Sequence, residues 1–429
     1  MRKNVSLNIH VRGMGQSPTL AINEKVKLLQ SQGKRIYNFG LGQSPFPVPL
    51  PVVEALRLHA HEKDYLPPKG LADLREAVAS FHRQKDKVDA SAEGVLVGPG
   101  SKELMFLLQL VFYGEIIVPT PCWVSYIPQA QILGKRISLP HTTFQDRWHI
   151  RAEILAELLE KEEDQYRPRL LVLNYPGNPD GLTYSARELK KIAEVAREHQ
   201  LILLSDEIYG QIHHRGEHVS IARFYPEGTI ISSGLSKWCG AGGWRLGTFI
   251  FPPDLEWLME AMAAVASETY TSVSAPIQYA AVQAFRGSMA IERYLWHARR
   301  ILSTLGEQCY RLLAEAGVDL HPPEGAFYLF PDFSPLAEDL AKRGIRNSVT
   351  LCQRLLQEID LAILPGKAFG RPEEELTARI SYINFNGARA LAASETIPLH
   401  LQLTEEFTRL HCEETLEAAE VLVDWLQRR

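Results

Sequence analysis

Six short apolar runs constrain the fold more than any other feature of the chain. They are VLVG (95–98), EIIVP (115–119), LLVLN (170–174), LILLSD (201–206), TIISS (229–233) and LGTFIF (246–251). Each is nearly continuous in Val, Ile and Leu instead of alternating apolar with polar. Strands of that kind are covered on both faces, as in the parallel sheet of an α/β protein. Between the third and fourth runs lies SARELKKIAEVAREHQ, where Ser185 and Glu188 have capping-box spacing and Leu189, Ile192, Ala193 and Ala196 share one helical face. Strand, helix and strand read together as a βαβ crossover.

Outside this ladder, SPTLAINEKVKLLQSQGKR (17–35) reads as a capped amphipathic helix, GLGQSPFPVPLP (40–51) as a loop and 288–317 as a long helix. Residues 210–228 carry no apolar stripe, so no helical crossover is expected there. Glycine and proline in AEAGVDLHPPEGAF mark a boundary near 310–325. The expected architecture is α/β: a large domain (46–315) with a mostly parallel sheet flanked by helices, and a smaller α+β domain built from both chain ends, 1–45 and 316–429. A length of 429 residues suits two such units.

A net charge of −5 and the lack of a dense Lys/Arg run provide no field for nucleic acid. No stretch of 18 apolar residues is present to form a membrane helix. MRKNVSLNIHVRGMGQ lacks the apolar centre of a secretory signal. The five cysteines, Cys122, Cys239, Cys309, Cys352 and Cys412, are scattered and form no C-x-x-C pair, which fits reduced thiols in a cytoplasmic protein. His213, His214 and His218 in HHRGEH lack a supporting carboxylate or cysteine pair and read as a solvated loop, so no metal is expected.

Polar residues collect where the strands end. Asn174 to Asn178 follow LLVL, Asp206 ends LILLSD, and Lys237 follows TIISSGLS. Ligands of open α/β sheets bind beyond the carboxyl ends of the strands, so Asn178, Asp206 and Lys237 converge if their strands are parallel neighbours. A fourth strand end, VGPGSKELMFLL, leads from a glycine turn into a helix, leaving amides at Gly100, Ser101 and Lys102 to form an anion site. Arg245 in SKWCGAGGWRLG adds a cation suited to a phosphate. Neither a Walker A loop nor a dinucleotide fingerprint is present. A lysine, a carboxylate and a phosphate site together suit pyridoxal phosphate. The lysine amine forms a Schiff base with the aldehyde, while Asp206 keeps the ring nitrogen protonated. Tyr209 and Asn178 would bond the ring oxygen, and Trp123 is available as a stacking platform.

SPTLAI, DYLPPKGLADLREAV, PTPCWVSY, NYPGNPDG, SDEIY, SGLSKWCGAGGWRLG, LPGKAFG and ARISYI follow one another along the chain. In that order they resemble the class I/II aminotransferases, the fold-type-I pyridoxal-phosphate enzymes that include aspartate aminotransferase. The resemblance implies that Lys237 carries the cofactor and later moves the substrate proton. It also implies that Asp206 partners the ring nitrogen, Asn178 and Tyr209 the ring oxygen, and Trp123 the ring face. Gly100, Ser101, Lys102 and Arg245 would form the phosphate cup, with Ser236 or Ser233 standing in for a serine usual near Gly234. Tyr65 would reach the phosphate of a neighbouring subunit, which implies a homodimer with shared sites. Arg379 and Gly42 would hold the substrate carboxylate. The implied reaction moves the α-amino group of an L-amino acid, aspartate or an aromatic one, to a 2-oxo acid such as 2-oxoglutarate. A β- or γ-eliminating lyase and a non-catalytic cofactor-binding sensor share the same fold. Tyr175 and Asp180 depart from the usual proline and threonine, and residues 388–412 carry extra sequence. Trp238, Trp244 and Phe369 are candidates for either pocket or core.

Overall fold

The computed structural model describes residues 6–161 and 166–428; the first five residues of the N-terminal segment lie outside that range. Seven strands form the main sheet: β1 (Val95–Gly98), β2 (Glu115–Ile117), β3 (Ile137–Ser138), β4 (Arg169–Asn174), β5 (Ile202–Asp206), β6 (Thr229–Gly234) and β7 (Gly247–Ile250). Their spatial order is β1-β7-β6-β5-β4-β2-β3, parallel throughout except that β7 runs antiparallel to both of its neighbours. Residues 235–246 join β6 to β7 with only the three-residue 3-10 turn Gly242–Trp244 and no crossover helix to carry the chain back to the far end of the sheet.

The alternation of side chains explains why the strands read as unbroken apolar runs. Leu170, Val172, Leu204 and Ile230 face one helical layer that includes Leu104, Leu108 and Met262. Leu171, Leu173 and Leu203 face the other, packing with Leu189, Ile192 and Ala196 of the Ala186–Glu198 helix. That helix begins with the expected capping box of Ser185 and Glu188. The other predicted cap is not formed. Ser17 makes no side-chain cap bond; the helix Pro18–Ser31 starts on a proline, and the Leu20 amide donates instead to the Ser17 carbonyl (2.9 Å). The loop from residue 40 gives way to a helix at Leu50. Residues 210–228 contain only three-residue 3-10 turns and no α-helix.

A smaller unit draws on both chain ends. Tyr37–Asn38 pairs parallel with Leu361–Ala362, and Ala378–Ser381 lies antiparallel between Leu364–Pro365 and Tyr328–Leu329. Val26 and Ile36 from the N-terminal side pack on Leu356 and Ala362. The 27-residue helix Met289–Glu315, about 40 Å long, runs alongside. Its Arg300 binds the extra sequence, donating to the carbonyls of Ile397 (2.8 Å) and Pro398 (3.1 Å), to Ser394 Oγ (2.8 Å) and to the Ser394 carbonyl. Among the described residues no helix is long and apolar enough to cross a membrane.

Candidate active site

Three neighbouring parallel strands deliver their last residues to one edge, with Asn174 level with Asp206 and Asp206 level with Ser232. A cavity of about 560 Å³ opens over that edge. Asn178, Asp206, Tyr209, Ser236 and Lys237 line it, together with Ser101, Lys102, Trp123, Arg245 and Gly42. The reversal of β7 brings Lys237 and Arg245 to the same edge, because the turn between β6 and β7 folds over the carboxyl ends instead of leaving the sheet.

The anion site is built from backbone. No side chain caps the Ser101–Val111 helix, so its first amides are left for a ligand. Gly100 has φ 92°, and a Cβ there would come within 2.2 Å of Arg245 Nη2. Glycine is therefore what lets the guanidinium lie against the helix start. Arg245 itself is left-handed and is fixed by bonds from Nη1 to the Gly242 carbonyl (2.9 Å) and from Nη2 to the Pro99 carbonyl (3.3 Å). Lys102 leans the other way, its ammonium 5.1 Å from the centre of the Trp123 ring. Burial, then Arg245, lowers its pKa.

At the cavity floor Asp206 is 4% exposed and accepts hydrogen bonds from Tyr126 Oη (2.6 Å) and Ser232 Oγ (3.2 Å). Burial raises its pKa to about 6 in spite of those donors. Lys237 Nζ donates to the Gly42 carbonyl at 2.5 Å and lies 5.5 Å from the centre of the Tyr209 ring. Burial, with Arg379 next, brings its pKa down to about 8. Tyr209 shares a 2.8 Å hydrogen bond with Tyr328 Oη, and burial pushes its phenol well above the usual range.

Two predicted site residues lie elsewhere. Arg379 is 1% exposed and sits behind the cavity wall, donating from Nη1 to Asn178 Oδ1 (3.0 Å) and from Nη2 to the Gly40 carbonyl (2.6 Å), between the rings of Tyr328 and Phe369. Its Nε is buried without a hydrogen-bond partner among the described residues. Tyr65 is 91% exposed and is not part of this chain's own cavity. Of the alternatives near Gly234, Ser236 lines the cavity while Ser233 is buried in β6. Trp238 is core, stacked on Phe81, whereas Phe369 lies under Arg379. The histidines of HHRGEH are not solvated as expected. His214 faces the carbonyls of Pro323 and Ala326, and buried His218 bonds Glu207 at 2.8 Å. Tyr175 is fully buried with its hydroxyl satisfied, accepting from Ser205 Oγ (3.0 Å) and the Ile221 amide (2.8 Å). Asp180 closes its own turn on the Leu182 amide (2.7 Å).

Sequence reasoning missed Tyr126, Ser232 and Tyr328. Ser232 was available from strand register, since it lies level with Asp206; Tyr126 and Tyr328 gave no signal of their own. Tyr126→Phe is expected to lower turnover about ten- to hundredfold, the usual worth of one hydrogen bond to a buried carboxylate. Turnover in the variant checks this; an unchanged rate would mean that Ser232 and the Ile208 amide suffice for Asp206.

A backbone anion cradle, an amine of lowered pKa and a buried carboxylate meet on one strand edge of an α/β fold. The chain belongs to the class I and II aminotransferase family, whose profile matches residues 34–391. It is 32% identical to the aspartate aminotransferase of Geobacillus stearothermophilus over 396 residues, 90% of this chain and 95% of that one. It is 30% identical to an asparagine–oxo-acid transaminase of Streptococcus mutans over 395 residues, covering 88% and 94%. The structure of Thermus thermophilus aspartate aminotransferase with maleate superimposes with a TM-score of 0.82 at 28% identity, covering 97% of this chain and 99% of that one. This chain is thus an aminotransferase, acting between an amino acid and an oxo acid.

Proposed function

We propose that the enzyme uses pyridoxal phosphate to move the α-amino group of a dicarboxylic L-amino acid, aspartate first, to 2-oxoglutarate. The observation that carries this reading is the convergence of Lys237, Asp206 and the Gly100–Arg245 cradle on one cavity of about 560 Å³. The residues fit the cofactor: the free helix start and Arg245 match its phosphate, and a buried carboxylate, held by the Tyr126 and Ser232 hydroxyls and the Ile208 amide, matches a protonated ring nitrogen. When bound, pyridoxal phosphate supplies an aldehyde for amino groups and a cationic ring that withdraws electrons.

The chain's own groups do the rest. Lys237 provides the amine that holds the cofactor and, once free, takes and returns the substrate proton as a general base of matched pKa. Asp206 holds a proton at the ring nitrogen. Tyr209 and Asn178 would hold the ring oxygen, and Trp123 would supply an aromatic platform for the ring. Arg379 exchanges its neutral acceptors, Asn178 and the Gly40 carbonyl, for a substrate carboxylate that bonds its fork more strongly. Lys102, turned onto Trp123 with no carboxylate of its own, supports a second carboxylate on the substrate, as does the naming of the relatives after aspartate. Exposed Tyr65 supports a homodimer in which it completes the partner's cradle, a state that sedimentation would test. Five buried free thiols suit a cytoplasmic setting.

The visible spectrum of the loaded enzyme tests the reading. Aspartate should convert the yellow lysine-bound form to the amino form of the cofactor with release of one oxo acid, and 2-oxoglutarate should restore it. A protein that takes up no chromophore, or that releases ammonia catalytically without any oxo-acid acceptor, would refute it. A pH dependence follows as well. The neutral amine is the nucleophile, so cofactor-free protein should capture pyridoxal phosphate at a rate that rises up to about pH 8 and then levels. A stopped-flow rate still climbing in proportion to hydroxide well above that pH would mean that Lys237 is an ordinary amine.

A further inference from the structure

A second cavity, of about 530 Å³, lies between the loop after Tyr209, the Met289–Glu315 helix and the segment following the Gly387–Glu395 helix. No residue of its wall lines the cavity over Lys237. Arg215, Arg299, Arg300 and His400 line it, with Trp296 and Leu399, and no carboxylate does. The rim that carries Leu399 and His400 falls beyond residue 391, where the match to the family profile ends.

The cations differ in what they are free to do. Arg300 is committed to the carbonyls of the turn that follows the Gly387–Glu395 helix, and that commitment holds the rim in place. Arg299 is not. It donates from Nε to the Gln211 carbonyl at 2.7 Å, which fixes the stem, while its terminal nitrogens have no acceptor among the described residues. Burial lowers its pKa, and the one acid acting against that is Glu292, which makes no ion pair with it. Across the cavity Gly216 has φ 70°, and a Cβ there would come within 2.7 Å of Arg299 Nη1, so the loop backbone approaches the guanidinium as only glycine allows. Arg215 adds a second guanidinium from the same loop. Its pairing with Glu217 at 3.1 Å is highly exposed and easily exchanged. Trp296 and Leu399, 40% and 43% exposed, supply an apolar wall beside the cations.

We propose that this cavity binds a small organic anion, with a carboxylate or phosphate head against Arg299 and Arg215 and a flat or apolar body against Trp296 and Leu399. A planar fork with two uncommitted nitrogens matches either head group bidentately. A mostly buried cation without a counter-ion gains more from an anion than an exposed one does.

The test uses the cofactor-loaded enzyme, so that the cradle at Gly100 is already filled. Phenyl phosphate and benzoate are titrated separately by calorimetry and by tryptophan fluorescence, while cofactor absorbance reports any binding over Lys237. The expected result is one saturating site per chain for at least one probe, leaving cofactor absorbance unchanged and producing a quench that Trp296→Phe abolishes. The better probe then identifies the head group. Arg299→Gln should weaken that binding about ten- to hundredfold, the worth of a charged hydrogen-bond pair, and Arg215→Gln several-fold, with basal turnover unchanged in both. No saturable site for either probe up to about 10 mM, a limit that corresponds to very weak affinity, would overturn the proposal. So would affinity unaltered in these variants; should Arg299→Gln fail to fold, exposed Arg215→Gln decides alone.

Discussion

Replacing Lys237 with alanine is expected to leave a folded protein that still takes up pyridoxal phosphate but turns over at least about 10⁴-fold more slowly, the upper range for losing a positioned acid–base group. Turnover falls because one amine has two tasks: it holds the cofactor and it moves the substrate proton. No other amine can replace it, since Lys102 is turned onto Trp123 and Arg245 is fixed against the helix start. Uptake survives because the cradle does not depend on Lys237: its donors are helix amides, and its guanidinium is held by the Gly242 and Pro99 carbonyls. The fold survives because the ammonium makes one side-chain hydrogen bond, to the Gly42 carbonyl. Desalting followed by absorbance measures uptake, and a coupled oxo-acid assay measures turnover. Retention of even a tenth of the native rate would remove Lys237 from the reaction.

Which features were legible beforehand follows from how local their causes are. The strands were readable because burial on both faces writes itself into consecutive residues, as at Leu170 to Leu173. Asp206 and Asn178 were readable because they end such runs, and parallel neighbours must bring their ends together. The direction of β7 was less apparent, since its apolar run looks like the others; only the glycine-rich segment 235–246, with no helical stripe for a crossover, betrays the reversal. Ser17 was misread as a cap because serine before a helix usually is one, whereas here the Leu20 amide goes to the Ser17 carbonyl and leaves the hydroxyl unused. Tyr126 and Tyr328 were invisible for another reason. Each acts through a hydroxyl that meets a residue 80 or 119 positions away, and nothing in the neighbouring sequence encodes such a meeting. The same holds for the histidines: HHRGEH looks solvated, yet Pro323, Ala326 and Glu207 supply partners that lie elsewhere in the chain.

Arg379→Lys separates substrate binding from the rest of the site. The variant keeps a positive charge in the same buried place but loses the planar fork, and kcat/KM for the amino acid is expected to fall about 30- to 1000-fold, mainly through KM. The range follows from about 2–4 kcal/mol for an incomplete buried pairing. A lysine has no flat face to lie between Tyr328 and Phe369, and its single nitrogen cannot bond Asn178 and the Gly40 carbonyl as two parallel donors do. The cofactor contacts do not involve Arg379 directly, so the visible spectrum should hold. An amine substrate without a carboxylate provides the internal control, because it makes no demand on the fork and should react with the cofactor equally fast in both proteins. If that amine also slows, Arg379 acts by positioning Asn178 against the ring oxygen. If the amino acid is unaffected, its carboxylate is held elsewhere, and a guanidinium lying behind the cavity wall is there for the fold alone.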